Sequence, residues 1–198
     1  MYTLTEALTL PAVQVGAETR LLGAHADLLP AAFVVPAAYE EGYYRHNNLP
    51  EQLSAIFAPV RPQRIDEDVL EPLCVQAAAL IRSSALLDDS VQALYRALRH
   101  TGLDAGMLHL RRPGERAVQT AQARPPGTEV LYAFKRLWAD DWRFESVLER
   151  LDTAGSVALE ARPVLLFRGA VGVPDEALAA SVGARRVWAN AEGLVGLE

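Results

Sequence analysis

The residues with the clearest capacity for chemistry are three arginines close together near the middle of the chain. Arg111 and Arg112 end an apolar run that begins at Leu108, and Arg116 follows Gly114. A guanidinium group presents paired N–H donors that fit a phosphate or a carboxylate, and loops at strand ends commonly carry binding residues. We therefore predict that Arg111, Arg112 and Arg116 bind an anionic ligand. Clustered arginines also occur on solvated surfaces or beside acidic partners, which is the commoner situation, and this alternative stays open.

The other reactive side chains form weaker patterns. The histidines do not pair at metal-ligand spacing, and a single cysteine, Cys74, excludes an intramolecular disulfide and a thiolate metal cluster. Cys74 lies in the apolar stripe of a helical pattern, which favours a buried, unreactive thiol. The sequence contains no P-loop, serine-nucleophile elbow or dinucleotide fingerprint. We predict no metal site and assign no catalytic residue.

The composition restricts the class of protein. The chain has 198 residues, of which 51% are hydrophobic, enough for a substantial core. The net charge of −6 and the single lysine, Lys135, argue against nucleic acid or an anionic membrane as the main partner. The N-terminus has no signal-peptide pattern, and no apolar run approaches the roughly 20 residues of a membrane span. We expect a soluble, cytoplasmic protein with no membrane partner.

Hydrophobic periodicity predicts the elements that must position the arginines. A strand at Ala32–Val35 and a strand at residues 108–112 are expected in a sheet, with a polar loop at residues 114–127. A long helix at residues 128–151 then covers the sheet, and two strands follow at residues 156–161 and 163–168. Further helices are predicted at residues 18–29, 37–45, 66–83, 89–100 and 174–182, and a last strand at residues 185–190.

These elements predict an α+β fold. We expect a mixed or antiparallel sheet, a long covering helix and a helical hairpin formed by residues 66–83 and 89–100. The chain is taken as a single domain, 1–198, with an N-terminal part (1–63), the helical hairpin (64–104) and a strand–helix–strand part (105–198).

One segment is similar to a family signature. Residues 29–39, Leu-Pro-Ala-Ala-Phe-Val-Val-Pro-Ala-Ala-Tyr, resemble Pro-Pro-Gly-Phe-Val-Val-x-x-x-Ala-Tyr at Phe33, Val34, Val35, Ala38 and Tyr39. That signature opens the nucleotide-binding domain of the phosphoenolpyruvate synthase and pyruvate phosphate dikinase family.

Further segments of the chain resemble the same family in the same order. Arg111 falls on the arginine of its Val-Arg-Ser-Ser turn, and residues 137–139 (Leu-Trp-Ala) fall on Cys-Trp-Ala. Residues 190–194 (Asn-Ala-Glu-Gly-Leu) resemble the Ala-x-x-Gly-Leu-Gly-Glu segment. The resemblance covers most of the chain and implies a shortened, ATP-grasp-like nucleotide-binding domain.

The chain departs from the family where phosphate should bind. The family's Gly-Gly-Lys-Ala-Ala-Asn-Leu falls on residues 16–22, and Glu18 replaces its phosphate-binding lysine. A carboxylate at this position would repel a triphosphate. Arg112 and Pro113 replace the two serines, and the part that supplies magnesium ligands is largely missing. The resemblance therefore implies a scaffold without its catalytic parts.

Three functions are compatible with this sequence. The leading hypothesis is a degenerate domain without phosphotransferase activity that acts as a binding or interaction module, with a protein partner or an anionic small molecule as ligand. The alternative is the ATP-binding component of a phosphotransferase that a partner chain completes, and ATP and magnesium are expected cofactors only in that case. A third hypothesis is a nucleic-acid-associated protein that extends the arginine patch with Arg96, Arg99 and His100.

Overall fold

The structure is a computed structural model that describes residues 1–198. It is an α+β fold, as the sequence predicts, with two antiparallel sheets. The helices are α1 (Ala12–Val15), α2 (Ala17–Gly23), α3 (Ala37–His46), α4 (Leu49–Ile56), α5 (Glu67–Ser83), α6 (Asp88–His100), α7 (Thr128–Asp140), α8 (Phe144–Ala154) and α9 (Glu176–Val182). The strands are β1 (Tyr2–Thr3), β2 (Ala32–Val35), β3 (Gly106–Arg111), β4 (Val118–Ala123), β5 (Val164–Arg168), β6 (Val173–Pro174), β7 (Val187–Asn190) and β8 (Gly193–Leu197).

The larger sheet separates two hydrophobic clusters. Its strand order is β1-β2-β5-β3-β4, and every neighbouring pair is antiparallel. Successive residues of a strand point to opposite faces. On β2, Phe33 and Val35 therefore pack into one cluster and Val34 into the other. Strand β5, which is buried on both faces, divides its residues in the same way.

The same alternation on β3 decides where the first candidate arginine lies. Leu108 and Leu110 pack into the larger cluster. His109 and Arg111 point to the opposite face, where the His109 ring stacks on Phe167 with a centroid distance of 5.2 Å and the Arg111 guanidinium lies over the same ring. Arg111 is therefore directed towards α2 and the smaller sheet.

The larger cluster is covered by α7, which packs against β3 and β4, while α5 packs on the outside of α7. The fully buried Trp138 is central to it. Its ring centroid lies 4.8 Å from that of Tyr43 and 5.8 Å from that of Phe134. Each such buried side chain contributes roughly 1.5–3 kcal/mol relative to exposure, so this aromatic group holds α3 and α7 together. The predicted covering helix is confirmed here.

That helix is shorter than predicted. Instead of one helix over residues 128–151, α7 ends at Asp140 and α8 begins at Phe144. Asp141 and Trp142 are both buried in the break, and they contact different neighbours, Arg112 and Phe57. The side chains of adjacent residues in a straight helix point about 100° apart. The turn between α7 and α8 allows Asp141 to reach Arg112 and Trp142 to reach Phe57.

Two strand predictions need correction. Residues 156–161 form neither a strand nor a helix, and they have no sheet partner. Strand β4, in contrast, lies inside the predicted polar loop, where it pairs with β3 along its whole length. Its inward residues are the small Ala121 and Ala123, and they alternate with exposed polar residues, so the hydrophobic signal is weak.

The predicted helical hairpin takes the form of a corner. The directions of α5 and α6 differ by 75°. The connection between them is extended at both ends, and side chains of α3 bind its carbonyl groups: the Tyr43 hydroxyl donates to Ser84 at 3.3 Å, and the Asn47 amide donates to Ala85 at 2.9 Å. No single helix is long and apolar enough to cross a membrane, and α5 and α6 reach that length and composition only when they are taken together across the bend.

The second face of the sheet is covered by α1, α2, α9 and the three-stranded sheet β6-β7-β8. Gly16 lies where α1 and α2 meet the loop after β3. Its φ is +88°, and a Cβ atom at this position would lie 2.5 Å from the Cβ of Pro113. A residue with a side chain at position 16 would therefore separate α2 from that loop.

We predict that Gly16→Ala destabilises the protein by about 1–3 kcal/mol, because it adds backbone strain and a steric clash. Gly42→Ala is the matched control: Gly42 lies within α3 and a Cβ there meets no atom within 4 Å. It should stabilise by about 0.5–1 kcal/mol. Urea denaturation of both variants measures the difference, and equal changes would contradict the packing of α2 on the loop.

Candidate functional site

Arg111 forms a buried, bidentate ion pair with Glu18. The Arg111 Nη1 donates to Glu18 Oε2 at 2.6 Å and Nη2 donates to Oε1 at 2.9 Å. Arg111 is only 2% exposed and Glu18 only 5% exposed. The Glu18 carboxylate thus occupies the position and orientation that a bound phosphate or carboxylate would take on this guanidinium.

Backbone groups from two distant segments complete the environment of Glu18. The N–H of Gly114, after β3, donates to Oε2 at 2.6 Å, and the N–H of Leu197, in β8, donates to Oε1 at 2.9 Å. Arg111 Nη2 also donates to the Val195 carbonyl at 2.6 Å. One carboxylate therefore joins α2, the loop after β3 and the C-terminal strand.

The ionised form of Glu18 is favoured by these contacts. Burial alone would raise the pKa of Glu18, but the Arg111 guanidinium and the two backbone N–H groups outweigh burial. The pKa of Glu18 therefore lies below its usual value of 4.5. The carboxylate is charged at neutral pH, and it neutralises Arg111.

Arg112 is buried in a second network on the other side of the sheet. Its Nη1 and Nη2 donate to the two oxygens of Glu40, both at 2.8 Å, and Nη2 also donates to Asp141 Oδ2 at 2.6 Å. Arg162 contributes its backbone N–H to Glu40 and its side chain to Asp141. This network links α3, the α7–α8 turn and the start of β5.

The charges of the second network are also matched internally. Burial lowers the pKa of Arg112, but Glu40 and Asp141 outweigh it, so the pKa of Arg112 is raised and the guanidinium stays charged. Burial raises the pKa of the Glu40 carboxyl, and Arg112 opposes that rise. Removing one member would leave a buried charge without a partner, which costs about 3–5 kcal/mol.

Arg116 is the candidate arginine that reaches solvent. Its side chain is 36% exposed, it pairs with Glu18 at 3.1 Å, and its guanidinium carbon lies 3.7 Å from the centroid of the Trp188 ring. A cavity of about 90 Å³ lies beside it, lined among others by His109 and Arg111. Ligand pockets usually have about 300–1,000 Å³, so this cavity is too small for a nucleotide.

The structure therefore brings Arg111 and Arg116 together and separates Arg112 from them. The contacts of Arg111 and Arg112 are with acidic partners, the alternative that the sequence left open. Glu18 was noticed only as a missing lysine, and the roles of Glu40 and Asp141 were missed altogether. Glu40 stands beside Glu41 and Asp141 beside Asp140, and no spacing in the sequence links either of them to an arginine 72 or 29 positions away.

Other candidate groups lie outside this site. Lys135 is on α7, against the opposite face of the sheet from Arg111. Cys74 is buried, as predicted, and burial raises the pKa of its thiol to about 11, so it stays protonated at neutral pH. No three histidine, cysteine or carboxylate side chains lie close enough together to hold a metal ion.

Comparison with known proteins adds no relative. No protein-family model matches this chain, and no curated protein matches it significantly.

We predict that the stability difference between the wild type and Glu18→Gln depends on pH. A depressed carboxylate pKa contributes stability above its usual value of 4.5, and that contribution is lost as the pH falls through the pKa of the folded state. The variant should be about 3–5 kcal/mol less stable at pH 7. The difference should shrink below pH 4.5, as Glu18 becomes protonated.

Urea denaturation from pH 7 to pH 3 measures this difference. Glu149→Gln changes an exposed carboxylate without an ion pair and serves as control, with a small difference at all pH values. A Glu18→Gln difference that is constant over this range would show that Glu18 is not held as a carboxylate by Arg111.

Proposed function

We propose that this chain is a shortened relative of the nucleotide-binding, ATP-grasp-like domain of phosphoenolpyruvate synthase and pyruvate phosphate dikinase. In this proposal it no longer binds ATP at Arg111 or transfers phosphate, and it acts as a binding and interaction module. The observation that carries the proposal is the Glu18 carboxylate on Arg111, at the two positions where the family has a phosphate-binding lysine and an arginine.

The arrangement of the resembling segments supports the family relationship. Residues 16–22, the Arg111 turn and the segment that begins at residue 190 are far apart in sequence. In the structure α2 packs on β8, Gly16 lies against Pro113, and Glu18 bonds to Arg111 and Leu197. Two of the resembling segments, residues 16–22 and the Arg111 turn, therefore meet at the Glu18 carboxylate, and the third, residues 190–194, lies at the start of the strand whose Leu197 binds it.

The electrostatics support the loss of phosphotransfer. A triphosphate at Arg111 would have to displace Glu18, whose five donors are Arg111 Nη1, Arg111 Nη2, Arg116 Nη2 and the N–H groups of Gly114 and Leu197. It would also meet the negative charge of that carboxylate in a water-poor site, where repulsion is strong. Arg112, the next residue, is committed to Glu40 and Asp141.

We predict that ATP with magnesium does not raise the melting temperature of the wild-type protein. A ligand at 100 times its dissociation constant stabilises a protein by about 2.7 kcal/mol, which a thermal-shift titration detects easily. The titration is run with and without magnesium on the wild type, Arg111→Ala and Arg116→Ala. The second variant is included because Arg111→Ala leaves Glu18 buried without its partner and can prevent folding.

A magnesium-dependent stabilisation that Arg116→Ala abolishes would contradict the proposal. It would favour the other hypothesis, an ATP-binding component completed by a partner chain. An ATP-induced shift that is equal in the wild type and Arg116→Ala would place nucleotide elsewhere on the chain, and it would also contradict the loss of nucleotide binding.

A further inference from the structure

A surface depression lies between α4 and the segment at residues 156–161. Two adjoining cavities of about 420 Å³ and 290 Å³ share Tyr44, Pro50 and Leu159 as lining residues. We call them together the α4 groove. Each is much larger than the cavity beside Arg116, and their combined size is that of a site for several side chains.

One half of the α4 groove is apolar and has fixed walls. Its lining includes Leu53, Phe57, Trp142 and Val157. The rings of Phe57 and Trp142 are stacked with a centroid distance of 5.7 Å, and Trp142 Nε1 donates to the Tyr44 hydroxyl at 2.8 Å. These side chains are already held in place, so an apolar anchor can bind here at a low cost in conformational entropy.

The other half of the α4 groove is acidic. Glu40, Glu41, Glu51 and Glu160 line it, together with Arg45. Glu40 is neutralised by Arg112, and Glu41 by Arg45. Glu51 and Glu160 are exposed and take part in none of the ion pairs of the structure. This half therefore carries two uncompensated negative charges, which attract a cation.

The segment at residues 156–161, which forms one wall of the α4 groove, has backbone N–H groups that no group of the protein accepts. The N–H groups of Val157, Leu159, Glu160 and Ala161 form no hydrogen bond within the protein. Val157 and Leu159 turn their side chains towards the core, while Ala158 and Glu160 are exposed. These N–H groups can donate to the carbonyl groups of a bound peptide.

We propose that the α4 groove binds an extended segment of a partner protein in which a lysine or arginine is close to a large apolar residue. The apolar residue enters the half lined by Phe57 and Trp142, and the cation meets Glu51 and Glu160. This deepens the proposed function, on which it rests, by giving the interaction module its surface and the chemistry of its partner. The two free carboxylates repel nucleotides, nucleic acid and anionic membranes.

The test uses the complete chain labelled with 5-fluorotryptophan and followed by ¹⁹F NMR. Trp142 is only 3% exposed, but it lines the groove. Trp138 lies between α3 and α7 and Trp188 lies on the smaller sheet, so their two resonances serve as internal controls. The probe is a positional-scanning library of acetylated hexapeptides. We expect mixtures with Arg or Lys fixed near Leu, Phe or Trp to shift the Trp142 resonance and leave that of Trp188 unchanged.

Two sets of variants test the charge and the apolar contact separately. Glu51→Lys with Glu160→Lys should weaken binding of the selected peptide about 10-fold, since the two substitutions replace attraction of the peptide's cation by repulsion. The control, Glu71→Lys with Glu149→Lys, changes the net charge equally at exposed positions outside the groove and should change affinity less than two-fold. Ala158→Trp, which fills the groove from an exposed position, should abolish the Trp142 shift by peptide.

The proposal is overturned if no mixture shifts Trp142, if acidic peptides shift it as strongly as basic ones, or if both charge-reversed proteins bind equally. These outcomes are separable from failure of the proposed function. Magnesium-dependent ATP binding by the wild type would contradict the loss of nucleotide binding and would leave the groove result as it stands. If no peptide shifts the Trp142 resonance and the protein also does not bind ATP, only the proposal that the α4 groove binds a peptide is overturned.

Discussion

A guanidinium group buried in a protein core needs a carboxylate beside it. This chain buries the guanidinium groups of two consecutive arginines, Arg111 and Arg112. The cost of removing an ion from water is several kcal/mol, and only close pairing with good hydrogen bonds offsets it. Because Arg111 ends β3 and Arg112 follows it, the two point to opposite sides of the sheet. One is bound by Glu18 and the other by Glu40 and Asp141. The ion pairs at the end of β3 thus connect it with α2 and β8 on one face of the sheet and with α3 and the α7–α8 turn on the other.

This constraint joins the fold to the proposed function. On one side, Glu18 binds the Arg111 guanidinium, which the proposed function takes to be a former phosphate-binding position, and it connects α2 with the C-terminal strand. On the other side, the Arg112 network holds α3 against the α7–α8 turn, and Tyr44 and Trp142 from those elements form a wall of the α4 groove. Two adjacent arginines thus support the two regions: Arg111 binds Glu18, and Arg112 supports a wall of the α4 groove.

Sequence patterns predicted those parts of the fold that depend on local periodicity. Strands β2, β3 and β5 and helices α3, α5 and α6 follow from apolar spacing and lie within about two residues of their predicted ends. The helix break at Asp141 and the pairing of β4 with β3 depend on contacts between distant segments, which periodicity does not contain. The same holds for the site: the arginines were recognisable by type and spacing, but Glu40 has no local signal that it faces Arg112. The α4 groove also depends on tertiary packing alone.

A double-mutant cycle between Glu18→Gln and Arg111→Gln, measured by urea denaturation at pH 7, tests the central claim most directly. The exposed pair of Glu41 and Arg45 provides the control cycle. We expect a coupling energy above about 1.5 kcal/mol for the buried pair and below about 0.5 kcal/mol for the exposed one. A coupling energy near zero between Glu18 and Arg111 would contradict the account, because the guanidinium would then be free to bind an anion from solution.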